Sequence, residues 1–308
     1  MDSSALPSGS SDELDSKSVQ LSSAAAPHRT EGFSNAEPVG IDECYDTSNA
    51  RRGFALIINQ VHFSSMAVRD GSSKDRTDIS TVLQRIGFEV RVMDDPNRQQ
   101  LLSTLKQLAG EDHSHSDCLV VVVMTHGKEN NLLYASDKSY EANQLWEPFI
   151  GDACPSLIGK PKLFFVQACR GKKLDEGVIP ATISIDSVDT QSSPGSMRYA
   201  IPAMADLLVM YSTYDGHYSW RNPSKGSWFI QSLCVELGAS AHCKELLHIL
   251  TAVSRRVAYH YQSNVPDNAK IDAKKQMPCM VSMLTKLLYL TPKKRRNTIL
   301  KTKKSASE

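Results

Sequence analysis

Two residues of this 308-residue chain have types and surroundings suited to nucleophilic chemistry. Cys169 stands in Gln167-Ala168-Cys169-Arg170-Gly171, and His126, followed by Gly127, lies 43 residues earlier. A free thiol is only a small fraction thiolate at neutral pH, so a catalytic cysteine needs a neighbouring base or cation. His126 is the candidate base. Gly127 leaves a backbone N–H unshielded by any side chain, and with the N–H of Cys169 it could form an oxyanion hole for an acyl tetrahedral intermediate. The plainer alternatives are a cysteine acting as a small core hydrophobe and a histidine satisfied structurally at a strand end. Against the first, Gln, Arg and Gly are poor company for a core.

Elements must bring the two together. Leu163–Val166 is a short, aromatic-rich apolar run that delivers Cys169, and the continuous run Leu119–Met124 ends in Thr125-His126-Gly127. Runs of this kind suit parallel strands covered on both faces. Phe54–Asn59 is a further buried strand, Phe88–Val92 alternates as another, and Leu207–Ser212 is a fifth. Between them, Ile79, Val82, Leu83 and Ile86 mark an amphipathic helix stopped by Gly87. Asp94-Asp95-Pro96 is expected to make a turn and open a helix with Leu101, Leu102, Leu105 and Leu108 inside, and Trp146–Ile150 reads as a short helix. Phe229, Ser232, Leu233 and Leu237 suit one helix, and Leu246 to Val257 a longer one. Leu284–Leu290 fits strand or helix equally. The alternation implies an α/β fold: an open, mostly parallel sheet with helices on both faces, whose sites lie beyond the carboxyl ends of the strands. His126 and Cys169 are both there.

The composition, 41% hydrophobic and 22% charged, suits one core of about 250 residues. The net charge of +1 conceals a basic tail, with seven Lys/Arg in 293–304, on an otherwise acidic chain, and gives no sign of a nucleic-acid partner. There is no 18-residue apolar run and no basic-then-apolar leader, so neither a membrane span nor a secretory signal is expected. Seven cysteines without a CxxC pair argue for reduced thiols and a cytoplasmic location. Residues 1–49, rich in serine, read as disordered, and 171–203 as a linker inside the domain. His113-Ser114-His115 has metal-like spacing, but nothing completes a tetrahedron, and no glycine-rich phosphate loop is present. No metal or cofactor is expected.

The pentapeptide at Cys169, with its upstream histidine, resembles the signature of caspases of the effector type. Lys160-Pro161-Lys162-Leu163-Phe164, Tyr218-Ser219-Trp220-Arg221-Asn222, Gly226-Ser227-Trp228-Phe229 and Lys274-Lys275-Gln276 carry the resemblance across about residues 50–290. It implies a six-stranded caspase-like sheet and a cysteine endopeptidase that hydrolyses proteins after aspartate in the execution phase of apoptosis. Cys169 would be the nucleophile, His126 the base, and the Ala67 carbonyl would orient the imidazole. Arg69, Gln167 and Arg221 would form the aspartate pocket, a task suited to arginine because it meets carboxylates through paired N–H groups. Tyr218, Ser219, Trp220, Asn222 and Trp228 would bind upstream substrate residues, with the aromatics as walls. Val265 and Ile271, where effector enzymes often carry phenylalanines, put the fine upstream preference in doubt.

The same resemblance implies a zymogen with a short prodomain (1–49), a large-subunit part (50–189), a small-subunit part (190–290) and a tail (291–308) outside the match. Asp186 and Asp189 in the linker and Asp15 in the leader are the processing candidates; Asp175 is disfavoured by Glu176 after it. Implied partners are protein substrates, an upstream initiator caspase, a second large/small pair and inhibitor-of-apoptosis proteins, and the basic tail admits a nuclear location. The alternative is a catalytically silent homologue that regulates another caspase by heterodimerising.

Overall fold

The continuous apolar runs become strands buried on both faces. In a computed structural model, which describes residues 42–177, 202–291 and 293, the elements follow in the order expected for α/β. β1 (Phe54–Asn59), α1 (Ser72–Ile86), β2 (Glu89–Asp94), α2 (Arg98–Ala109) and β3 (Leu119–Met124) come first. A small sheet follows, β4 (Gly127–Lys128), β5 (Leu132–Tyr134) and β6 (Ser139–Glu141), then a series of 3-10 turns over 142–157. β7 (Lys162–Gln167), β8 (Leu207–Tyr211), the β9 (Arg221–Asn222) and β10 (Gly226–Ser227) hairpin, α3 (Trp228–Ser240), α4 (Leu246–His260) and β11 (Cys279–Ser282) complete the order. The main sheet has six strands in the order β11-β8-β7-β3-β1-β2, all parallel except β11, which runs antiparallel to β8.

Successive residues of each strand point to opposite faces, so a strand apolar throughout feeds two cores. Ala55, Ile57, Val120, Val122 and Phe165 pack with α1, α3 and α4, through residues such as Leu83, Leu233 and Leu250. Leu56, Ile58, Val121, Val123 and Phe164 pack with Leu101, Leu105 and Leu108 of α2 and with Leu145, Phe149 and Leu157 of the 3-10 stretch. No helix among the described residues is long and apolar enough to cross a membrane.

Several local expectations are corrected. The helix expected from Asp94-Asp95-Pro96 begins after Asn97, whose side chain accepts the Gln100 N–H at 2.9 Å while the Gln100 side chain accepts the Asn97 N–H at 3.0 Å. This reciprocal cap satisfies two amides that a start at Pro96 would leave free. Asp95 forms the expected turn before the helix, left-handed (φ 50°) and accepting from the Val61 and His62 amides. Leu284–Leu290 is neither strand nor helix: Leu288 and Leu290 are buried and Leu287 and Tyr289 exposed, in a chain that makes only isolated pairings with Cys44 and Glu245. The sixth strand is Cys279–Ser282, too short and too polar at its ends to stand out. Trp146–Ile150 contains a single 3-10 turn, Glu147–Phe149. Tyr45, inside the stretch expected to be unstructured, is 6% exposed and donates to Asp206 at 2.6 Å. Asp15, Asp186 and Asp189 lie outside the described residues.

Phe164 is buried between the rings of Trp146 (5.9 Å) and Phe149 (6.1 Å). Phe164→Ala is expected to lower unfolding free energy by about 3–5 kcal/mol, read from the midpoint of denaturant unfolding.

Candidate active site

The register of β3 and β7 decides which residues meet. Met124 pairs with Gln167, and the Thr125 N–H donates to the Gln167 carbonyl at 3.0 Å. Counting on from that pair, Thr125 is matched by Ala168 and His126 by Cys169 as the chains leave the sheet. The next residue must be glycine: a Cβ on Gly127 would overlap the Cys169 carbonyl oxygen and stand 3.0 Å from the Ala168 Cβ. This close approach brings the Gly127 backbone against Cys169.

His126 Nε2 lies 2.8 Å from the Ala67 carbonyl oxygen, which can only accept, so Nε2 carries the proton and Nδ1 of the neutral ring is left with its lone pair. The ring also packs against Phe63, centroids 4.7 Å apart. Burial holds the imidazole below its ordinary pKa, helped by the Arg69 and Arg221 charges and opposed by the Ala67 hydrogen bond. Burial pushes the Cys169 thiol up, against the Ser219 N–H and the same two arginines. The Sγ takes the Ser219 N–H at 3.5 Å and faces its carbonyl at 3.8 Å. Both shifts favour the uncharged forms at neutral pH, a thiol and a neutral imidazole at adjacent strand ends.

Next to this pair is a cluster of buried donors. Arg69 is 1% exposed; its Nη1 donates to the Gln60 carbonyl (2.8 Å) and Ser72 Oγ (2.7 Å), while Nε and Nη2 have no hydrogen-bond partner. Burial first, and then the Arg221 charge, lowers its pKa to about 9. Arg221 Nε is anchored on the Asp70 carbonyl at 2.7 Å. Gln167, 2% exposed, donates from Nε2 to Ser219 Oγ at 2.8 Å. Buried donors without acceptors are costly, and two repelling guanidiniums raise that cost, so the site is short of an anion. A carboxylate is a group that would supply both the charge and the acceptors.

Tyr218, Trp220 and Trp228 form an aromatic series, Tyr218 edge-on to Trp220 at 5.1 Å and Trp220 stacked on Trp228 at 5.6 Å. Tyr261, missed in the sequence, extends it by stacking on Trp228 at 5.4 Å, whereas Val265 and Ile271 remain partly exposed on the neighbouring loop. Asn222 turns inward on its own chain, its Oδ1 accepting from Ser224 and Lys225. Gln276, also missed, accepts the Trp220 N–H at 2.6 Å and donates to the Ser212 carbonyl at 2.7 Å. Ser212 continues a relay of hydroxyls: Gln167 donates to Ser219, Ser219 to Ser212 (2.9 Å), and Ser212 to the Ala168 carbonyl (3.0 Å). The motif Lys274-Lys275-Gln276 was the available signal for Gln276. The chain leaving Cys169 is held by a pairing of Asp175 with Lys275 and by a Lys274–Glu176 ion pair at 2.5 Å.

A mostly parallel sheet with a cysteine and a histidine at adjacent strand ends, beside a guanidinium cluster with unpaired donors, defines a class of thiol-bearing α/β domain. Residues 52–289 match the Caspase domain family. Caspase-1 of Spodoptera frugiperda is 43% identical over 251 residues, covering 81% of this chain and 82% of that protein. Caspase drICE of Drosophila melanogaster is 42% identical, covering 81% of this chain and 73% of that protein. Caspase-3 of Bos taurus is 38% identical, covering 90% and 97%. The crystal structure of the Spodoptera Caspase-1 superposes with a TM-score of 0.75 at 40% identity, over 83% of this chain and 99% of that one. The chain belongs to the caspase family.

Since nothing larger than hydrogen fits at residue 127, Gly127→Ala is expected to cost about 1–3 kcal/mol by overpacking the two strand ends, measured by denaturant unfolding.

Proposed function

We propose that the protein is a cysteine endopeptidase that hydrolyses proteins after aspartate, as an effector of apoptosis. The observation that carries this reading is the pair of guanidiniums at Arg69 and Arg221, beside Gln167 and next to Cys169, with donors of Arg69 left unpaired. A substrate aspartate entering there would gain paired N–H contacts in a water-poor site, and its peptide carbonyl would be brought to the thiol.

In this chemistry His126 Nδ1 takes the Cys169 proton as the sulfur attacks the scissile carbonyl. The N–H groups of Gly127 and Cys169 receive the developing oxyanion. The imidazolium, held by the Ala67 carbonyl, then returns the proton to the leaving amine. This leaves a thioester on Cys169, and a water deprotonated by the same nitrogen attacks it to release the acid. No acidic third member is required, because a backbone carbonyl already fixes the tautomer. Tyr218, Trp220 and Trp228 would flank the upstream residues, with the Ser219 backbone alongside.

The protein would be made as a zymogen and activated by an initiator caspase cutting after Asp186 or Asp189, with Asp15 the site in the leader. Two processed pairs would join through β11. Its outer edge is unpaired among the described residues, and Val281 on it is 48% exposed. Inhibitor-of-apoptosis proteins would bind in the cytoplasm, and the tail from Lys293 would admit the chain to the nucleus.

The test is turnover of a fluorogenic aspartyl peptide by the linker-cleaved protein. Cys169→Ala is expected to abolish it, and replacing the substrate aspartate with asparagine to reduce kcat/KM by about 10³-fold or more. A protein that leaves the aspartyl peptide untouched after linker cleavage is instead the silent homologue. Because His126 must be neutral to act as base and its pKa is held below the ordinary imidazole value, activity is expected to persist to lower pH than an unperturbed histidine would allow. Below that pKa the base is protonated and kcat/KM falls; a full pH profile checks this.

A further inference from the structure

The pocket is assembled from chain on both sides of the processing linker, Arg69 before it and Arg221 and Trp228 after it. The seam between the halves is close. Arg221 Nε donates to the Asp70 carbonyl at 2.7 Å, and a Cβ on Gly71 (φ +84°) would stand 2.5 Å from the Asn222 and 2.7 Å from the Pro223 carbonyl oxygen. One charged side chain lies inside this seam. Asp75, in the first turn of α1 and 1% exposed, accepts the Ser227 N–H with its two oxygens at 2.9 and 3.0 Å. Gly226 (φ +91°) passes directly over it, where any Cβ would overlap Oδ1. Ser227 in turn caps α3, its Oγ accepting from Ile230, so what holds Ser227 also sets where Trp228 begins. The Asp75 charge acts on both Arg69 and Arg221.

Resting on the aspartate-pocket reading above, we propose that Asp75 is the positioning residue of that pocket. It fastens the Ser227 turn, and with it Arg221 and Trp228, to the end of α1 beside Arg69, and its negative charge lets two guanidiniums share one site while no substrate is bound. It does not touch the reacting atoms. A carboxylate serving stability alone would be a poor choice here, since burial raises its pKa to about 6 from 3.8, outweighing the Ser227 hydrogen bonds and the two arginines. A folded-state pKa above the unfolded one means that stability is lost as pH rises through the window from about 3.8 to about 6, so the ionised carboxylate weakens the fold at neutral pH. Removing its charge should therefore harm the pocket without harming the fold.

The experiment compares Asp75→Asn with the parent in two arms. In the first, the linker-cleaved enzyme turns over a fluorogenic aspartyl peptide. KM is expected to rise on the order of 10- to 100-fold while kcat changes far less, and Tm is expected to hold or rise. In the second, Cys169→Ala and Cys169→Ala/Asp75→Asn proteins are titrated calorimetrically with a peptide ending in aspartate, and the same loss of affinity is expected without any catalysis. Gly226→Ala, which keeps the charge but displaces the carboxylate, is expected to weaken affinity as well, here with a lower Tm. An unchanged KM and affinity in Asp75→Asn would overturn the proposal, as would a loss of affinity that only follows a lowered Tm. Parent protein whose peptide affinity depends on Asp75 but which does not hydrolyse the peptide would leave the positioning role standing and remove the peptidase reading. Parent protein that neither hydrolyses nor binds it would remove both.

Discussion

The parallel register between β3 and β7 is the constraint from which the site follows. Pairing Met124 with Gln167 fixes how far each chain has run when it leaves the sheet, and so which two residues emerge side by side. A slip by one residue would turn Cys169 to the other face of the sheet and separate it from His126. Both strands are buried on both faces, with large side chains committed to two different cores, so a slip would also misplace every one of them. Gly127 adds a local lock, since only a residue without a side chain lets the two strand ends approach this closely. The placement of Cys169 beside the His126 strand end is thus a by-product of packing that the fold needs in any case.

Charge is handled in a second, partly independent layer. Cys169 and His126 are held uncharged by burial, whereas the adjoining Arg69–Arg221 cluster concentrates positive charge that the protein only partly balances. Ser72, Ser219, Ser212 and Gln276 take up donors and acceptors around it, and Asp75 contributes a buried negative charge at its rear. What is left over is a deficit of one anion, presented beside the thiol. An incoming aspartate would complete the set, so affinity and positioning would arise from the same contacts.

The strands that carry the chemistry are legible in the sequence because they are continuous apolar runs ending in polar, glycine-containing turns: Leu119–Met124 before His126-Gly127, and Leu163–Val166 before Cys169. The resemblance to caspases then adds Arg69, Arg221 and the Ala67 carbonyl, which periodicity does not reveal, because their partners lie far away in sequence. β11 escapes for the opposite reason: Cys279-Met280-Val281-Ser282 is short and half-exposed, and only its pairing with β8 makes it a strand. Asp75 reads as an ordinary acid in the first turn of an amphipathic helix, where the helix dipole favours one. Nothing local reveals that its partner is an amide 152 residues further on. The role of Ser212 is hidden in the same way, since a buried polar residue is distinguished only by the tertiary groups that satisfy it; Gln276 is flagged only by the Lys274-Lys275-Gln276 segment, not by any local pattern.

On this reading, one strand register brings the Cys169 thiol together with a site that would receive an aspartate. The most direct measurement is a crystal structure of the protein treated with a peptide aldehyde ending in aspartate. The expected result is a thiohemiacetal on Cys169 Sγ, with the aspartyl carboxylate received by Arg69, Gln167 and Arg221 and the hemiacetal oxygen facing the Gly127 N–H. An adduct on another cysteine, or a Cys169 adduct whose carboxylate lies in solvent away from both arginines, would contradict it.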